Sequence, residues 1–244
     1  MSAAPLSAEA RRPERASPKP RLPIRDAATL ILLDRSGAEP KFLMGRRHHA
    51  VRFMPGKYVF PGGRVEAQDG RVNVAGTYAP HVERSLQTRV ARPSITRARA
   101  YGLAAIRELA EETGLLIGEA DMDGFHVRSE SWKAFAEARV FPSLEGLHLV
   151  ARAITPPRRP RRFDTRFFAA DLSLVSAARP DVVHAEAELV ELVWVTFSEA
   201  RELDLPAITS MVLGDLAKRL DDGLERDLPT PFYREGSASE RELI

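Results

Sequence analysis

RELAEETGL, residues 107–115, is the stretch on which the reading of this chain turns. On a helix, Glu108, Glu111 and Glu112 stand at i, i+3 and i+4 and leave one side of it together. Three like charges on one face repel unless a cation sits among them, and carboxylate oxygens are hard donors suited to Mg²⁺ or Mn²⁺. A solvated acidic face is the ordinary explanation for such glutamates. Two features set this one apart. The run stops at Gly114, a residue able to take the left-handed conformation that ends a helix. Beside the acids, Leu103, Ile106, Leu109 and Ala110 form an apolar stripe at helical spacing, so the edge is half buried. The helix is expected over about 96–113, capped by Ser94 or Thr96 after Pro93.

Upstream lies FPGG, 60–63, opening the segment PGGRVEAQD, 61–69. A glycine pair after a strand lets backbone oxygens approach closely, because no β-carbon intervenes. Together the two segments resemble the box of the Nudix hydrolases, whose usual form is GxxxxxE, seven residues, then REUxEExGU with U bulky and apolar. Gly63 starts the first half, and Arg107, Glu108, Leu109, Glu111, Glu112, Gly114 and Leu115 fill the fixed places of the second. Asp69 stands where the first half has glutamate. It keeps the charge with a shorter reach, and no metal role is assigned to it.

The resemblance implies an α/β/α sandwich with a mixed sheet and a Mg²⁺- or Mn²⁺-dependent diphosphatase. It implies Glu108 and Glu112 as metal ligands, Glu111 as a further ligand or base, and Arg107 as the group that orients the carboxylates. The backbone oxygen of Gly62 or Gly63 completes the coordination. Such sites use one more glutamate from outside the box; Glu186, Glu188 and Glu191 are candidates, with Glu188 or Glu191 preferred. Trp194, just beyond them, is expected in the core.

The two halves are separated by residues 70–106, where a contiguous box has seven. Closing the longer loop costs only about 1.5 kcal/mol more by the logarithmic length dependence, so the split is tolerable. With valines, leucines and a tyrosine spread through it, the insertion at about 70–95 is expected to pack locally, as a surface subdomain or lid. A box interrupted here resembles the long-insertion relatives of coenzyme A diphosphatases, a branch that includes a peroxisomal mammalian enzyme. GTYAPH at 76–81 and RRFDTRFFAA at 161–170 resemble that branch's recurring segments. The coenzyme A signature LLTxR, S or A, xxxRxxxGxxxFPGG is matched in part: Arg47, Arg52, Gly56, Phe60, Pro61, Gly62 and Gly63 fall at its spacings, while Met44, Gly45 and His48 depart from it. The resemblance thus implies Arg47, Arg52, Phe60, Gly62 and Gly63 as substrate-binding residues. Guanidinium forks suit the phosphates of such a ligand. His48 and His49 are read as solvated loop residues.

The rest of the chain frames this site. AATLILL (27–33), KFLMGRR (41–47), YVF (58–60), LHLVARAI (147–154), RFFAADL (166–172) and LVELVWV (189–195) are expected strands, and a last helix spans about 207–221. Strands flanked by helices without a repeat indicate a layered α/β domain over 26–228. Residues 1–25, proline- and arginine-rich, are expected as a flexible arm, and 229–244 as a flexible tail. With no cysteine in 244 residues, disulfides, thiol nucleophiles and thiolate metal sites are excluded. A net charge of +2 does not argue for nucleic acid. No signal segment or membrane span is legible, and a cytoplasmic protein is expected. The basic run Arg158, Arg159, Arg161, Arg162 with Arg166 suits either a substrate phosphate or a solvated turn.

The activity these residues and resemblances imply is hydrolysis of the diphosphate in coenzyme A or its acyl derivatives. ADP-ribose, a dinucleotide or a nucleotide sugar would use the same metal site. A Nudix-like RNA- or ligand-binding regulator is the non-enzymatic alternative. A homodimer is compatible with the family.

Overall fold

The computed structural model describes residues 23–120, 129–157, 159–234 and 241–244. The expected arm falls outside them up to residue 22, as does Arg158 of the basic run.

The strand expected at 27–33 is the centre of the molecule and runs longer, as β1 (Ile24–Asp34). Its apolar run Leu30–Leu33 is buried throughout, which a strand needs only when both faces of the sheet are covered. On one side β1 pairs antiparallel with β2 (Lys41–Arg47) and β4 (Gly62–Arg64). On the other it pairs parallel with β8 (Arg162–Asp171). β3 (Tyr58–Val59) and β10 (Leu189–Val195) attach to β2, and β7 (His148–Ile154) lies beyond β8. The sheet is therefore mixed. A smaller sheet joins β6 (Phe141–Pro142), β5 (Leu115–Glu119) and β9 (Val175–Ala178).

Alternation along β1 sends Ala28, Leu30 and Leu32 to one face and Ile31 and Leu33 to the other. The first face packs on α2 (Ile95–Thr113), the second on α5 (Ala207–Asp222). The result is the expected α/β/α sandwich. Ser94 caps α2 by accepting the Arg97 amide at 3.2 Å, and Gly114 ends it at φ +80°. Short helices α3 (Lys133–Glu137) and α4 (Phe197–Ala200) serve the loops, the latter closed by a capping box between Thr196 and Glu199.

Two expectations are corrected. The insertion is neither a lid nor a separate subdomain. Its helix α1 (Pro80–Gln87) and the loops around it bury Val72, Tyr78, Val82 and Leu86 in the main core beside α2, and the Tyr78 hydroxyl donates to the Ala98 carbonyl at 3.1 Å. Nor are the described residues of the expected tail, 229–234 and 241–244, free. β11 (Pro231–Tyr233) pairs with β7, and β12 (Arg241–Leu243) pairs with β11. Phe232 and Tyr233 are buried, and Asp215 of α5 takes the Tyr233 hydroxyl and Arg241. Two adjacent aromatics supply the apolar surface that composition alone hides.

The strand directions gather several chain segments at one end of the sheet. β1, β8 and β10 begin there and β2 ends there, with β4 alongside β1. That end carries the residues of the split box.

Candidate metal centre

Arg107 organises the site. Its side chain is buried on α2 and reaches back to the first half of the box: Nε donates to Asp69 Oδ1 at 3.0 Å, and Nη2 donates to Asp69 Oδ2 at 3.2 Å and to the Arg64 carbonyl at 2.8 Å. Its remaining Nη1 donates to Glu108 Oε1 at 2.9 Å and Glu111 Oε2 at 3.0 Å. Burial works against the guanidinium charge, yet Asp69, Glu108 and Glu111 together hold its pKa above the ordinary value. Asp69, fully buried on a 3₁₀ turn, is thus the anchor of Arg107 and takes no part among the outward carboxylates. Its side chain spans the distance because the turn brings it close to α2.

Glu112 is 8% exposed and accepts the Gly62 amide at 2.9 Å through Oε2. The Gly63 backbone lies against Glu108, and a β-carbon there would overlap the carboxylate. The glycine pair therefore lies against both glutamates, and the contact to Glu112 is made by the Gly62 N–H, not by a backbone oxygen. Burial pushes Glu108 up to about 7 and Glu112 well above the usual carboxylate range, and their mutual repulsion adds to the rise in Glu112. Two carboxylates, one half-buried and one buried, whose ionisation is opposed in this way form a hard-oxygen donor set that a divalent cation would relieve. Glu111 is the exception to the expected convergence of three. Arg107 Nη1 lies between it and Glu108, and among the described residues no three acidic or histidine side chains stand together as a ready cage.

Of the glutamates outside the box, Glu188 is the one brought to the site. Its carboxylate accepts Arg47 Nη2 at 2.7 Å and its carbonyl accepts the His48 amide at 2.9 Å. Its charge contributes to the raised proton affinity of both Glu108 and Glu112. Glu191 is elsewhere, bound to Arg46 at 2.7 Å and to the Tyr58 hydroxyl at 3.2 Å. The irregular register between Leu189 and Glu191 separates the two. Glu186 is not joined to the box by any contact among the described residues; its amide donates to its neighbour His184.

The arginine signature divides. Arg47 is committed, its Nε donating to the Phe53 carbonyl at 2.9 Å and its Nη2 to Glu188, so it fastens the 48–57 loop to β10. Arg52 is exposed on that loop, which Gly56 closes by donating to the Arg47 carbonyl. His48 and His49 lie on the same loop, the first half-buried and the second exposed. Phe60 is a core residue packed edge-on to Phe42, with ring centroids 6.2 Å apart. Trp194 is not core: β10 is an edge strand, and the indole is 37% exposed. Arg166 of the basic run is buried over the Tyr101 ring at 3.9 Å.

The raised pKa of Glu108 carries a stability prediction. Between an unfolded value near 4.5 and a folded value of about 7, the native state holds the proton more tightly than the unfolded chain. Metal-free protein therefore loses stability as pH rises through that window, by on the order of 3 kcal/mol for this group, and no more above it. Unfolding in chelator at pH 5 and pH 8 is expected to show this loss, and Glu108→Gln should reduce it, leaving the part that the raised Glu112 contributes. Equal pH dependence in both proteins would contradict the assignment.

No family model matches the chain. It is 29% identical to the human acyl-coenzyme A diphosphatase NUDT19 across 81% of this chain, and spans 61% of that protein's length. A Nudix hydrolase from Alicyclobacillus acidocaldarius is 27% identical, superposes with a TM-score of 0.57, and shares 80% of this chain and 92% of its own. With a sequence likeness on one side and a matching sandwich on the other, the chain is similar to Nudix hydrolases in both sequence and fold.

Proposed function

We propose that the chain is a Mg²⁺- or Mn²⁺-dependent diphosphatase that hydrolyses coenzyme A or an acyl derivative, giving 3′,5′-ADP and 4′-phosphopantetheine or its acyl form. The observation that carries the activity is the pair of half-buried Glu108 and buried Glu112, held beside Gly62 and Gly63 while Arg107 is locked to Asp69. Burying two ionisable carboxylates opposes the stability of the fold, and a binding module has no need of that arrangement. The substrate rests on the likeness to an acyl-coenzyme A diphosphatase and on the partial arginine signature.

Divalent ions, when bound, would offset the charge of the diphosphate and lower the pKa of water. Glu108 and Glu112 would hold them. Water adds to one phosphorus of the anhydride, the bridging P–O bond breaks, and the proton passes to a carboxylate. Glu188 suits the role of proton acceptor, because its side chain is 55% exposed and pinned at one oxygen by Arg47, leaving the other open. Glu111, half exposed on Arg107, is the second candidate.

The test is turnover of coenzyme A, acyl-coenzyme A, ADP-ribose, NADH and diadenosine polyphosphates with Mg²⁺, resolved by chromatography. Coenzyme A or its acyl forms should lead; a preference for ADP-ribose would overturn the substrate, and no turnover of any would overturn the activity. In the same assay Arg47→Ala is expected to lower kcat more than it raises KM, because it frees Glu188. Arg52→Ala should raise KM with kcat retained. The reverse pattern would contradict the division of the two arginines.

A further inference from the structure

At the same end of the sheet, between the start of β1 and the first half of the box, lies a hollow of about 380 Å³ lined by Arg25, Asp26, Arg64, Val65, Glu66 and Ala67. Arg25 and Arg64 are exposed, and neither guanidinium has an ion-pair partner among the described residues. The backbone from which the Arg64 side chain springs is fixed, since its carbonyl accepts Arg107 Nη2 and it pairs with Ala27 of β1.

The acidic wall is already neutralised. Asp26 takes Arg97 at 2.7 Å and Arg166 at 3.2 Å, while Asp164 takes Arg152 at 2.7 Å and Arg166 at 3.1 Å. Three guanidiniums against two carboxylates leave one positive charge in excess directly behind the hollow. Arg166 is 1% exposed, and its Nε and Nη2 have no hydrogen-bond partner among the described residues. Glu66 is the remaining acid, turned to the Gln68 amide at 2.8 Å. The hollow is thus a pair of unspent arginine forks over a buried cationic cluster, which selects for a compact dianion.

Its position says which dianion. Arg64 is two residues along β4 from Gly62, about 7 Å at the usual rise of a strand. A ligand whose diphosphate lies at Gly62 and Gly63 would reach Arg64 with a group one sugar ring away. Resting on the reading of the site as a diphosphatase, we propose that the hollow between Arg25 and Arg64 is a subsite for a phosphate monoester carried on the ribose of the substrate, outside the bond that is cut.

The experiment compares binding of adenosine 3′,5′-bisphosphate and 5′-AMP by calorimetry in Mg²⁺, so that it does not depend on turnover. The wild type should prefer the bisphosphate by on the order of tenfold to a hundredfold, as charge-assisted hydrogen bonds would give. Arg25→Ala with Arg64→Ala should bring the ratio close to one, and Glu66→Gln should increase it. If the alanine pair lowers the melting temperature, Arg25→Gln with Arg64→Gln replaces it. Equal binding of the two nucleotides by the wild type, or a preference that survives the double substitution, would overturn the subsite. A preference lost in the double variant alongside absent coenzyme A turnover would leave the subsite standing and remove the diphosphatase reading instead.

Discussion

Replacing Asp69 with alanine is expected to destabilise the protein by about 3–5 kcal/mol, the usual cost of leaving one member of a buried ion pair without its partner. Asp69 is fully buried and Arg107 is 1% exposed, so water cannot substitute for the lost carboxylate. Arg107 would still hold the Arg64 carbonyl, Glu108 and Glu111, but Nε would have no acceptor. Asp69→Leu with Arg107→Met should cost less than the sum of Asp69→Leu and Arg107→Met made singly, because neither member of the buried contact is then left facing a missing partner. Urea unfolding at pH 7 across this cycle reads the coupling. Additive effects in the cycle would mean that Asp69 does not anchor Arg107.

The second large effect falls on catalysis and not on stability. Glu112→Gln should lower turnover by more than about 100-fold, beyond the loss typical of groups that only support a metal ligand. Glutamine can still accept the Gly62 amide, and it removes a carboxylate whose ionisation burial opposes. Metal-free Glu112→Gln is therefore expected to melt at the wild-type temperature or a few degrees higher. An inactive variant that also melts several degrees lower would point to a structural role for Glu112, and a variant of normal activity would remove it from the chemistry.

The parts of the fold that sequence makes legible are those where one residue type has one physical use. Ser94 and Gly114 bound α2 because only a polar cap and a left-handed turn fit there, and the unbroken run Leu30–Leu33 marks a strand covered on both sides. What sequence hides is decided by neighbours far along the chain. LVELVWV has the same pattern whether its strand is central or at the edge, so the exposure of Trp194 could not be read from it. A single irregularity beside Leu189 sends Glu188 to the box and Glu191 to Arg46, and local composition carries no sign of it. Phe60 sits in a substrate signature yet fills the core, since its neighbours Pro61 and Gly62 turn the chain immediately after it. Arg47 is the most informative arginine of the signature, and its partners, Glu188 and the Phe53 carbonyl, lie 141 and 6 positions away.

The insertion between the two halves of the box governs how the centre comes into being. Asp69 and Arg107 touch, but 38 positions separate them, and the chain between them is threaded through the main core by Val72, Tyr78, Val82 and Leu86. A contiguous box can form its arginine contact within one local turn of folding. Here the contact is a long-range event that waits for core assembly, because the intervening loop must first be closed by its own packing. The centre is therefore tied to the main core, and whatever opens that core separates Asp69 from Arg107 as well.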